Sequence, residues 1–470
     1  MSRNLRPIQQ EVTNHTKYKT KGITVKTVKP KRWLRVGAAA AASVMLATTL
    51  FGCASGSNAG TGGATVSQSD IDAALQKETT LTWWTWSDGN QPLADAFMKK
   101  YPKIKIDMVK LENPDAVVTK LQNAVKAGKG APDIVPVEYQ TLPQLTLGKA
   151  LADLTPYGID KYKDKFSAST WNAVNVGGKL VGLPLDSGPM VMIYNKALFD
   201  KAGVTAAPKT WDEYSAASKK IHATDPKAYI ANSGDAGFFT SMIWASGGQP
   251  FKAEGDKVTI DLQDAGTKKF ADYWGSLLKA DELSPVATWS DEWTKSLTQD
   301  KLGSLLIGSW MISGMKDYGL DKWQVATMPS WDGQSATAEN GGSSLAVTEQ
   351  STNKAVGAAL MQFAAEGEGR QIVEANGFPS STTAMSNPEW LGQTFAAYVG
   401  GQTVNEVGVA ASKSVVPGWQ YLPYQGYANN VFGDSVGKAL GSKSDLNTGL
   451  VEWQKTLVDY GNAQGFSVNK

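Results

Sequence analysis

The residue types that do chemistry are unevenly supplied in this 470-residue chain. It holds 16 tryptophans, 15 tyrosines and 44 acidic residues, but one cysteine and two histidines. Ser-His-Asp triads and histidine-rich zinc sites therefore have almost no raw material. His222 lies in the helix-like run TWDEYSAASKKIHAT and reads as a surface or packing residue. What remains is aromatic rings set beside planar polar groups. TWWTWSDG (82–89) carries three tryptophans and an acid, and DIVPVEYQ (133–140) ends in an acid, a phenol and an amide. The negative face of an indole attracts slightly positive C–H groups, while carboxylates and amides bond hydroxyls. A pyranose, with C–H patches on its faces and hydroxyls at its rim, is the kind of ligand such a set suits.

Those residues need elements to aim them. TTLTWWTWS reads as a strand, QPLADAFMKKYP as a helix ended by proline, KIKIDMVKL as an alternating strand, PDAVVTKLQNAVKAG as a helix and APDIVPVEY as a buried strand. This alternation is the pattern of a doubly wound α/β domain, in which ligands bind beyond the carboxyl ends of the strands. Trp86 and Asp88 follow one such end, and Glu138, Tyr139 and Gln140 the other. On a strand Trp84 and Trp86 share a face and Trp83 takes the other. The expectation is that one aromatic face packs in the core while Trp86 and Asp88 approach a ligand; the alternative packs all three inside. Further on, two β-rich runs surround Pro184 and Pro189, and Thr210 with Glu213 forms a capping box. Helical periodicity covers 265–278 and 352–375, and KLGSLLIGSW, KWQVATMPS and SSLAVTE read as strands.

The first 53 residues are of another kind. KPKRWLR is a positive n-region and VGAAAAASVMLATTLF an apolar h-region, as in a signal peptide and short of a comfortable membrane span. An uncleaved N-terminal anchor is the alternative. Leu50-Phe51-Gly52-Cys53 resembles a bacterial lipobox, which implies lipid on Cys53, and the Gly/Ser-rich stretch after it reads as a flexible tether over 54–79. Ten of the 46 Lys and Arg but one of the 44 Asp and Glu precede Val36, leaving 36 basic against 43 acidic residues, a net of −7. A mildly acidic body argues against nucleic acid.

Four longer stretches, beginning GAPDIVPVEYQ, GKLVGLPLDSGPM, GSLLIGSWMISGM and GGSSLAVTEQ, resemble in this order the extracellular carbohydrate-binding proteins of ABC importers, the family that includes maltose-binding protein. The likeness covers most of residues 80–385. It implies a two-lobed periplasmic-binding-protein-like α/β fold of type II: an N-terminal lobe of 80–185 and 330–377, a C-terminal lobe of 186–329 and 378–470, and hinges near Leu185, Ser330 and Phe378. It also implies a sugar in the cleft, a monomer without cofactor or metal, and delivery to an ABC permease from a lipid-anchored position outside the cell membrane. Trp310 matches a family position where an aromatic ring stacks on sugar. Asp186, at the first crossover, either accepts hydroxyls or fixes the hinge. Asp235, Trp244, Trp289 and Ser343 are further ligand candidates, and Trp419, Tyr421 and Tyr424 either close the groove or pack the second lobe. No G-x-x-x-x-G-K-[ST] motif for ATP occurs. Two other readings stay open. One is a secreted glycoside hydrolase with Glu138 and Asp186 as acid and base, for which eight strand–helix units are missing. The other is the same fold holding a peptide or polyamine.

Overall fold

A computed structural model describes residues 65–318, 322–375, 377–395, 398 and 401–470. The signal-like segment and Cys53 lie outside the described residues.

A helix begins inside the stretch expected as a tether. Ser67 caps α1 (Gln68–Ala74) in a capping box with Asp70, and the helix buries Ile71, with Leu75 just past its end, in the first core. Apolar residues four apart behind a Ser-x-x-Asp signal suffice to order it.

The first core is built on parallel strands. β1 (Thr79–Thr85) leads into α2 (Gln91–Lys100), β2 (Ile104–Lys110), α3 (Pro114–Ala127), β3 (Ile134–Glu138) and α4 (Leu142–Leu147). Strand β1 pairs in parallel with β2, from Thr79 opposite Ile104 to Thr85 opposite Lys110, and with β3 on its other side. Helix α3 has Asn113 as its cap and Pro114 at its first turn, and it ends at left-handed Gly128. Its Val117, Leu121 and Ala124 face inward. Helices cover both faces of the sheet, so Trp83 and Trp84 are both buried although they point opposite ways. Lys120 of α3 lies over the Trp84 ring at 4.2 Å.

After β4 (Leu183–Pro184) the chain enters a second body. β5 (Met190–Asn195) is its central strand, followed by α5 (Trp211–Thr224), α6 (Ala236–Ala245), α7 (Ala265–Lys279), β6 (Ser304–Gly308), α8 (Met311–Gly314) and β7 (Trp323–Thr327). β6 and β7 flank β5, both antiparallel. Thr210 caps α5 by accepting the Glu213 N–H, while the Glu213 carboxylate accepts from Lys209 N–H, one residue earlier than a capping box requires.

The chain then returns as β8 (Ser343–Val347), antiparallel between β3 and β4, which gives the order β2-β1-β3-β8-β4. The long helix expected over 352–375 is two: α9 (Lys354–Ala365) and α10 (Gly367–Glu374), separated by Glu366 in extended conformation. Helices α11 (Pro388–Leu391), α12 (Val404–Lys413), α13 (Gln425–Val431) and α14 (Leu446–Ala463) complete the chain, α14 burying Leu450, Trp453 and Leu457 in the second core. Among the described residues no helix is long and apolar enough to cross a membrane.

One crossover differs in position from the expectation. Ser330 bonds Lys209 and Trp211, and Trp331 packs on Trp211 and Tyr273, all in the second body. Thr337 bonds Met190 and Ser414 there as well. The return to the first sheet comes at Glu339–Gly342, where Asn340 N–H donates to Gly188 O. The polar run before it gave no sign of which body it follows, because it is held by backbone pairing.

Candidate functional site

A cavity of about 160 Å³ opens beyond the carboxyl ends of β1 and β3, lined among others by Trp86, Asn90, Pro136, Asp186, Ser343 and Gly377. Strand β1 stops at Thr85, whose hydroxyl oxygen accepts from Asn90 Nδ2, and Ser87 accepts the Gly89 N–H. This tight turn lays the half-buried Trp86 along the cavity wall. Asp88 departs from expectation: it turns to an exposed ion pair with Lys110 at the end of β2, and its neighbours Ser87, Gly89 and Asn90 line the space instead.

At the end of β3 the three expected residues part company. Tyr139 is buried and its hydroxyl donates to Asp186 O at 2.7 Å, so it braces the crossover rather than facing a ligand. Gly342 permits this, since a Cβ there would come within 2.7 Å of the tyrosine ring. Gln140 donates to Glu138 Oε2 at 2.7 Å and accepts from Asn429 Nδ2 at 3.0 Å, joining the first body to α13 of the second. Burial pushes the Glu138 carboxyl up to about 7, against the Gln140 bond and with help from Asp115 and Asp186.

Asp186 meets Ser343 across the crossover. Its Oδ1 accepts the Ser343 backbone N–H at 2.6 Å and hydroxyl at 2.8 Å. Burial raises it to about 6, and the Ser343 bonds and Arg370 pull the other way. One Asp186 oxygen thus ties the crossover to Ser343, and the residue also borders the cavity.

On the second body, Trp310 follows β6. Its Nε1 donates to Asn340 O at 2.8 Å, and it is crowded by Gly188, Gly308 and Gly341, where side chains would collide with it. Trp289 lies beside it, centroids 5.8 Å apart and planes 30° from parallel. Trp289 is 52% exposed and has φ of 69°, a conformation unusual for a bulky residue. Strain and exposure in one aromatic residue are the pattern of a binding surface. Trp244 is buried with its Nε1 unpartnered, packed on Trp419 and Tyr421 at 5.0 Å each. Tyr421 also touches the first core and so lies between the bodies.

Two candidates are structural. Asp235 caps α6 by accepting the Phe238 N–H. Tyr424 is buried against Tyr460 and Phe466 and donates to Leu457 O, inside the second core. Sequence reasoning missed a buried polar layer between the two. Glu339, 0% exposed, accepts from Ser169, Ser187 and the Gly188 N–H, and burial raises its carboxyl. Arg370, also buried, donates to Pro184 O and Leu185 O and to Glu374. Neither residue carries a local sequence signal of this role. Among the described residues no cluster of three or more His, Cys, Asp or Glu is arranged for a metal.

Residues 92–398 match the family of bacterial extracellular solute-binding proteins. An arabinooligosaccharide-binding protein of Bacillus subtilis is 29% identical over 303 residues, 61% of this chain and 69% of its own length. Among solved structures, the ABC transporter associated binding protein from B. animalis subsp. lactis Bl-04, in complex with β-1,6-galactobiose, aligns with a TM-score of 0.75 at 38% identity, over 84% of this chain and 100% of that one. The galacto-N-biose/lacto-N-biose I-binding protein of Bifidobacterium longum, in complex with lacto-N-biose, aligns at 0.71 with 28% identity, over 83% of this chain and 99% of its own. These relatives bind rather than transform their ligands, which removes the hydrolase reading of Glu138 and Asp186. With a match over more than half its length and a two-bodied fold shared with these binding proteins, this chain belongs to the bacterial extracellular solute-binding protein family.

Proposed function

We propose that the chain captures a short oligosaccharide in the cleft and hands it to an ABC permease. The observation that carries the reading is the pairing of aromatic platforms with carboxylates in one molecule. The second body offers the near-parallel Trp289 and Trp310 rings, and the cavity beyond β1 and β3 is bordered by Trp86 and Asp186. Aromatic faces for C–H patches and carboxylates for hydroxyls suit a sugar better than a polyamine, whose cations need no flat platform, or an anion, which the carboxylates repel. The sugars held by the two structural relatives support the same class.

Each body carries part of this shell, so a bound sugar favours the closed arrangement by its greater affinity for it. The closed form then docks on the permease. Lipid on Cys53 and the stretch up to Val66 tether the body to the outer face of the membrane, raising its concentration at the transporter.

The test is a melting and tryptophan-fluorescence screen of protein beginning at Ala54. The ligands are β-1,6-galactobiose, lacto-N-biose, arabinotriose, maltose, spermidine and a tripeptide. A ligand at 100 times its Kd adds about 2.7 kcal/mol, a clear shift. One or more sugars shift the melt; a response to spermidine or peptide alone overturns the sugar reading. For the anchor, Cys53→Ser releases the protein from cells into the medium, and unchanged membrane association of that variant refutes lipidation.

A further inference from the structure

A second cavity of about 170 Å³ lies on the other side of Gly377, which borders both. Its wall comes from three parts of the chain: Ser309 and Ser313 beside Trp310, Glu374 at the end of α10, and Trp390, Gln393 and Asn405 from the last third of the chain. The lining mixes polar groups with apolar ones such as Ile312, Phe378 and Phe395. Ser309 is 1% exposed, and its Oγ has no hydrogen-bond partner. A buried hydroxyl without a partner costs about 1–3 kcal/mol, so it points to something that normally occupies the space. Glu374 has Oε1 engaged by Arg370 Nε at 2.9 Å, and Ser313 donates to Trp310 O, which leaves acceptor capacity on both. The half-buried Trp390 supplies an aromatic ring, set edge-on to Phe378 at 5.6 Å. The volume is many times the ~15 Å³ that one water needs, so a single structural water does not account for it.

We infer that this pocket is a subsite for a further sugar unit, reached past Gly377 from the main cavity, with Ser309 bonding one of its hydroxyls. The inference rests on the proposed oligosaccharide function and adds to it that the protein reads ligand length. Ser309 sits directly before Trp310, so the ring that stacks on one unit is joined to the hydroxyl that bonds the next. Asn340, which accepts the Trp310 N–H through its carbonyl and the Gly308 N–H through Oδ1, holds that turn in place.

The experiment is calorimetric titration of wild type, Ser309→Ala and Gln393→Trp with β-1,6-galactobiose and β-1,6-galactotriose. Ser309→Ala removes one oxygen and creates no clash. Gln393 is exposed at the rim, so a tryptophan there narrows the entrance without entering the core. The expected result is that wild type binds the triose more tightly than the biose. Both variants keep biose affinity and lose about 3- to 10-fold in triose affinity, the value of one hydrogen bond. Biose binding with no triose advantage overturns the inference and leaves the proposed function standing. A triose advantage that persists in both variants, or an equal loss for both sugars, also overturns it. If wild type binds neither these nor any other sugar of the screen, the function and the subsite fall together.

Discussion

Single residues separate the proposed ligand binding from support, and Trp289 shows how. A residue kept for packing would be buried and relaxed, yet this one is exposed with φ of 69°. Trp289→Gly removes the ring and relieves the backbone. The expected outcome is a melting temperature within a few degrees of wild type and sugar affinity at least about 10-fold weaker, read by thermal melt and titration. Glu138 makes a different prediction. Its carboxyl is raised from 4.5 to about 7, so the folded state holds a proton that the unfolded chain releases earlier. Its stabilising contribution is complete below about pH 4.5 and is lost as pH rises through 7. Asp186, raised to about 6, acts in the same direction. The unliganded melt therefore falls between pH 5 and pH 8, and Glu138→Gln flattens part of that fall, by at most about 3 kcal/mol. An unchanged profile in the variant shows that another group controls it.

At the scale of elements, the crossovers are tied to one another by buried hydrogen bonds where they meet. Glu339 gathers three donors from two segments of chain, and Tyr139, Ser343 and Arg370 brace the neighbouring strand ends. Glu339→Ala leaves those donors buried without an acceptor and costs at least about 2 kcal/mol, measured by denaturant unfolding. Close approach matters as much as hydrogen bonding. A Cβ at Gly188 would lie 2.3 Å from Asn340 O, so Gly188→Ala pushes the crossover strands apart. The variant is expected to lose both stability and sugar affinity, whereas a purely local loop would lose neither.

For the whole molecule, the decisive contact is the polar bridge between bodies. Gln140 on the first meets Asn429 of α13 on the second, and Gly426 of the same helix approaches Gln144. Asn429→Ala removes the bridge and shifts the unliganded population toward an open arrangement. Apparent affinity then falls by the fraction of competent molecules lost, about 2- to 5-fold. Small-angle scattering is expected to show a larger radius for the unliganded variant and equal radii once sugar is bound. Equal radii throughout would mean that the bridge does not set the resting state.

Much of this was legible in the sequence by itself. Local periodicity and end signals determined the first strand–helix alternation, the helix over 265–278 and the later strands, because each depends on residues a few positions apart. The order of four stretches pointed to the family and, through the resemblance, to Trp310, while the strand-end position marked Trp86. Tertiary structure alone decided which polar groups face the cleft. Glu138, Tyr139 and Gln140 are consecutive, yet one is half-buried with its carboxylate bonded by Gln140, one braces a crossover and one bridges the bodies. Tyr424 and Asp235 went to a core and a helix cap, while Glu339 and Arg370, unmarked locally, became the centre of the crossovers. Side-chain type states what a residue is able to bond; only distant chain brought to it by folding states what it does bond, as with Gln140, whose partner Asn429 lies 289 residues away.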